Sequence, residues 1–121
     1  MKTPKQILER RKSIRIHETL PIRIGHEGFE LEAHSVNISA HGAMCAVERD
    51  IPLMTRLKVA FQLPPYGKGS SKKKQLKITG VVVRKEAMRQ PGRFYIAVYF
   101  SDIKPADQAL LNEFIGHRLS S

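Results

Sequence analysis

The sequence predicts a mainly β fold: a six-stranded antiparallel β-barrel followed by one C-terminal α-helix. Three observations lead there. Apolar and polar residues alternate through most of the chain between Ile14 and Phe100, the period of half-buried strands. Clusters of Gly, Pro, Asn and Ser interrupt that alternation at short intervals, as hairpin turns do. Only after Pro105 does the period become helical. Short strands in succession with a single terminal helix bury their apolar faces best by curling the sheet around one core.

The elements follow in order. Thr3 can cap a helix, Pro4 suits its first position and Gln6 completes a capping box, so a short helix is expected there. Its apolar face is only Ile7 and Leu8, too little to dock it, so a basic N-terminal arm over 1–15 is expected to be mobile without ligand. From Ser13, Ile14 and Ile16 alternate with Arg15 and His17, and Leu20-Pro21-Ile22-Arg23-Ile24 continues the strand. Pro21 cannot donate to a ladder, which places the strand at an edge or interrupts it there.

After the turn Gly25–Gly28, Phe29, Leu31 and Ala33 form one strand face. The apolar residues then change parity at Val36 and Ile38, the mark of a bulge or a new element. Ala43 to Val47 is the third strand, and Leu57, Val59, Phe61 and Leu63 define the fourth. Pro64 to Lys74 reads as a loop with a disordered tip, rich in Gly, Ser and Lys. Leu76 to Arg84 and Arg93 to Ser101 are the last two strands. Leu110, Leu111, Phe114, Ile115 and Leu119 then recur on one face of an amphipathic helix from Pro105 to about Arg118.

The 121 residues suit a single domain over 1–121, with a barrel over 16–101 and a helix over 105–119. Lys and Arg number 21 against 11 Asp and Glu, a formal charge of +10 that attracts anions: a nucleotide, a nucleic acid or an acidic surface. Cys45 is the single cysteine and lies in an apolar run, so it reads as a buried, inert thiol with no disulfide to make. Without an apolar run of membrane-spanning length or a secretory leader, the expected location is the cytoplasm.

Two patterns bear on chemistry. Arg11 and Arg15 form Arg-x-x-x-Arg, which alone says little, since Arg89 and Arg93 repeat it. Asn37-Ile38-Ser39-Ala40-His41-Gly42 is Asn-x-Ser-x-x-Gly, which alone could be a turn. In combination, one hairpin apart, they resemble the signature of the PilZ family: Arg-x-x-x-Arg near the N-terminus, then Asp/Asn-x-Ser-x-x-Gly. Gly80-Val81-Val82-Val83-Arg84 and Ile96-Ala97-Val98-Tyr99-Phe100 also look like that family's later strands.

The resemblance implies a six-stranded barrel with a C-terminal helix, no catalysis, and cyclic di-GMP as ligand. It carries binding roles onto Arg11, Arg15, Asn37, Ser39 and Gly42. The residue types suit the ligand, because a guanidinium pairs bidentately with phosphate or with the O6/N7 edge of guanine and stacks on purines. Arg10, just before the motif, implies an intercalated pair of nucleotides rather than one. Asn37 stands where many members have Asp, which predicts weaker acceptance from guanine donors. A domain of this kind acts through a downstream protein that the sequence does not identify.

Two rival readings have sequence support. Ser39, His41 and Asp50 suggest a hydrolase triad, but no nucleophile elbow or oxyanion hole accompanies them. The five histidines show no metal-ligand spacing. A small basic β-barrel that binds nucleic acid or an acidic partner surface is the stronger rival, resting on the charge, the Lys72-Lys73-Lys74 run and Phe94, Tyr95 and Tyr99.

Overall fold

Six strands, β1 (Pro21–His26), β2 (Phe29–Ile38), β3 (Gly42–Val47), β4 (Arg56–Leu63), β5 (Lys74–Ala87) and β6 (Phe94–Ile103), precede one helix, α1 (Pro105–Ser120). The computed structural model describes residues 14–66 and 74–120. All neighbouring strands are antiparallel and close into a barrel in the order β1-β2-β3-β6-β5-β4. Hairpin neighbours supply four of the ladders, while β1 with β4 and β3 with β6 are the non-local pairings that complete the closure. Each strand thereby has a partner on both sides, which removes the exposed edges that invite aggregation.

Alternation sorts the side chains. Ile22 and Ile24, Cys45 and Val47, Leu57, Val59, Phe61 and Leu63, and Ile96, Val98 and Phe100 point inward and are buried. Phe61 and Phe100 meet edge to face, with ring centroids 5.8 Å apart. Leu111, Phe114 and Ile115 of α1 join the same cluster. Full burial of side chains this size contributes roughly 1.5–3 kcal/mol each.

The structure corrects several boundaries. Ile14 to Ile16 does not form a strand: Ile16 makes an isolated bridge to Ile38, and Ile14 is 41% exposed. Pro21 marks no edge, but the run read from Ile14 to Ile24 is interrupted there, since residues 17–20 form no strand. Pro21 is the first residue of β1, which is paired on both sides, and a strand's first position tolerates a missing N–H. The parity change in β2 is a bulge: the register with β3 shifts between Ser35 and Asn37, leaving Val36 as the extra residue. β5 and β6 run longer than expected, and their ladder has two irregularities: Ser101 is an extra residue of β6 opposite Thr79/Gly80, and Val83 is an extra residue of β5 between Val82 and Arg84.

α1 extends to Ser120, but its buried stripe is narrower than the expected amphipathic face. Leu119 is 53% exposed. The N-terminal segment expected to be a short helix, with Arg10 and Arg11, and residues 67–73 of the expected loop lie outside the described residues, and Lys74, expected in that loop, opens β5.

Candidate ligand-binding site

The C-terminal half of β2 and the turn into β3 bring Arg15, Asn37, Ser39 and Gly42 together, while Arg10 and Arg11 lie outside the described residues. Residues 16–20 run beside β2 and are strapped to it. Ile16 and Ile38 exchange two backbone hydrogen bonds, of 2.9 and 3.0 Å. Ser35, 1% exposed, accepts from the Leu20 N–H at 2.8 Å and donates to the Glu18 carbonyl at 2.6 Å. A buried hydroxyl without such partners would be costly, and here both of its bonds fasten the incoming chain.

The strap fixes where Arg15 emerges. Its Nη1 donates to Asn37 Oδ1 at 2.8 Å on the outer face of the barrel. The bond joins the two sequence motifs directly. It also uses one acceptor site of the Asn37 amide, and among the described residues the amide NH2 and the remaining guanidinium N–H groups make no further hydrogen bond, so the pair keeps donors for a ligand. A surface of donors suits an acceptor-rich ligand edge: phosphate oxygens, or O6 and N7 of guanine.

Ser39 and Gly42 work differently. Ser39 is 2% exposed and its Oγ faces into the turn, within hydrogen-bonding distance of the N–H groups of His41 (3.3 Å) and Gly42 (3.2 Å) and of the Gly42 carbonyl (3.2 Å). The Ser39 N–H donates to the same carbonyl at 2.8 Å. The hydroxyl therefore sets the turn's shape. Gly42 has no positive φ. The close approach it permits is that of β6, because a Cβ there would lie 2.6 Å from the Val98 carbonyl oxygen. The turn is tied further by the Phe100 N–H to the His41 carbonyl at 2.8 Å, and by Gln108 Nε2 of α1 to the Ala40 carbonyl at 3.2 Å.

Between this turn, Ile14 and α1 lies an open cleft of about 530 Å³, bordered by His41, Gln108 and Asn112. The depression of about 420 Å³ on the β1–β4–β5 side contains none of the sequence-predicted residues. The imagined triad is not assembled. Ser39 Oγ is occupied within its own turn, and Asp50 pairs with Lys85 at 2.6 Å. Among the described residues, no three His, Cys, Asp or Glu side chains converge as a metal site, and no helix is long and apolar enough to cross a membrane.

Sequence reasoning missed Ser35, Glu18 and Gln108. Ser35 left a signal: it is a polar residue at a core parity position, two after Ala33. Glu18 and Gln108 left none, since their partners Arg118 and Ala40 are distant in the chain.

A family model for the PilZ domain matches residues 9–117. Among solved structures, the chain is similar to the Bacillus subtilis inhibitor of motility MotI/DgrA, at 25% identity and a TM-score of 0.75, covering 93% of this chain and 53% of that one. It is also similar in fold to Borreliella burgdorferi PlzA, solved in complex with c-di-GMP, at 10% identity and a TM-score of 0.62, covering 96% of this chain and 55% of that one. The chain thus spans about half the length of either protein. No curated protein matches it. With Arg15 and Asn37 joined and the family model matching nearly end to end, the chain belongs to the PilZ domain family.

Proposed function

We infer that this chain is a bacterial, cytoplasmic receptor for cyclic di-GMP that signals to a protein partner and catalyses no reaction. The observation that carries the reading is the 2.8 Å bond between Arg15 and Asn37, which makes one donor surface from two motifs. Arg15 and Asn37 contact phosphate and guanine edges. Ser39 and Gly42 hold the turn that presents Asn37. Arg10 and Arg11, outside the described residues, add guanidinium groups from the arm, and Arg10 stacks on the second nucleotide of an intercalated pair. Bridging the arm to the Asn37–Gly42 turn orders the arm and changes the surface offered to the partner. The c-di-GMP bound to PlzA supports the choice of ligand.

Calorimetric titration of cyclic di-GMP into the wild type and Arg15→Ala tests this. The expected result is saturation near two nucleotides per chain and at least a tenfold loss of affinity in the variant, about 1.4 kcal/mol or more. Saturation at one removes the intercalated pair, and no wild-type binding removes the receptor. Hydrogen exchange over residues 5–16 should slow on binding; unchanged exchange removes the arm-ordering step.

A further inference from the structure

The outer face around the β5 bulge carries an apolar patch that the nucleotide reading does not use. Leu53, Met54, Val83 and Tyr99 are 55%, 72%, 46% and 54% exposed, the majority of the large hydrophobic side chains that the described residues leave in solvent. The fold places them together. The Met54 N–H donates to the Val82 carbonyl at 2.7 Å and the Val82 N–H donates to the Thr55 carbonyl at 3.0 Å, which lays Leu53 and Met54 beside the bulge. The register shift between Val82 and Arg84 turns Val82 inward and leaves Val83 outside. Tyr99 lies across from Val81 on one side and Gly42 on the other.

Met54 adds a second observation. Its φ is +68°, in the left-handed region that an L side chain rarely occupies and that glycine takes readily. A glycine would make this turn with less strain and would expose no apolar surface. The chain instead keeps a long thioether there, largely in water. Strain and exposure on one residue point to a use for its side chain.

We propose that this patch is the docking surface for a partner protein whose contact presents an apolar side chain flanked by carboxylates. The rim supplies the charge argument. Arg56 borders Val81 and Arg84 borders Ala97; both are exposed, and neither pairs with a carboxylate among the described residues. With a formal charge of +10, a second copy of this chain would meet the rim with like charge. The inference stands on the patch alone, so a failed nucleotide titration leaves it in place.

The test places a photo-crosslinking amino acid at Val83 of the full chain in the cells that make it, with Lys77, on the β4–β5 outer face, as the control position. The expected adduct is one other protein, cross-linked at an apolar segment bearing Asp or Glu. Its purified form should bind at least tenfold more weakly to Met54→Gly and to Arg84→Glu, and equally to Lys77→Glu, whether or not cyclic di-GMP is present. Met54→Gly should melt at the same temperature or higher, separating a lost contact from a lost fold. The proposal is overturned by an adduct to a second copy, to nucleic acid or to the chain's own arm, or by none above the Lys77 level. A partner without carboxylates at the contact, or one indifferent to Met54→Gly, also overturns it.

Discussion

Gly42 belongs to the signature, and the barrel needs it for a reason the motif does not reveal. Any Cβ there would sit 2.6 Å from the Val98 carbonyl oxygen, and backbone yields less readily than a side chain. Gly42→Ala is expected to cost about 1–3 kcal/mol in urea denaturation. A change below about 0.5 kcal/mol would show that β6 gives way. Cys45 is 0% exposed, and burial pushes its thiol pKa from 9.0 up to about 12. Unfolded, the thiol ionises from pH 9 upward, while the folded protein keeps it protonated. The stability this contributes is complete below about pH 9 and is lost as pH rises towards 12. Between those values wild-type stability should therefore fall more steeply than that of Cys45→Ala, by up to about 1.4 kcal/mol per pH unit. Parallel slopes would mean that the thiol titrates normally in the folded state. At both residues the sequence showed the residue type, and packing decided what it does.

Among the elements, strand faces were the most legible, because alternation is local. β4 matches it throughout, with Leu57, Val59, Phe61 and Leu63 buried and Arg56, Lys58 and Gln62 exposed. The three consecutive valines Val81, Val82 and Val83 broke the alternation, and only pairing with β6 shows that Val82 points inward. Docking of α1 was less legible still. Its C-terminal turn is held by Arg118 Nε at 2.7 Å from Glu18 Oε1, with the guanidinium 5.0 Å from the Phe114 ring centroid. Both charged side chains are partly buried, at 30% and 24% exposure. A double-mutant cycle with Glu18→Gln and Arg118→Gln should give a coupling of about 0.5–1 kcal/mol. Additive effects would show that Phe114 and its apolar neighbours hold the helix without the ion pair.

At the scale of the molecule, charge separates the two function classes that composition leaves open. The +10 charge favours any polyanion, but a salt series distinguishes a small nucleotide from a strand. Between 50 and 200 mM salt, a ligand with two phosphates should lose roughly tenfold in affinity, whereas a strand engaging six to ten should lose about a thousandfold or more. Cyclic di-GMP binding is expected to follow the shallow course and to depend on Arg15. A steep course that depends on Lys72, Lys73 and Lys74 would favour nucleic acid.

By itself the sequence determined the fold class, the number and order of the strands, the terminal helix and the two motifs. Those features are written in neighbours two to four residues apart, where periodicity and turn chemistry act. Tertiary structure decided which strands close the barrel, that Ser39 and Gly42 shape the turn while Arg15 and Asn37 face outward, and that Leu53, Met54, Val83 and Tyr99 share a surface. These depend on pairings such as Ile16 with Ile38, Gly42 with Tyr99 and Glu18 with Arg118. Such contacts join residues far apart in the chain, and no local period encodes them.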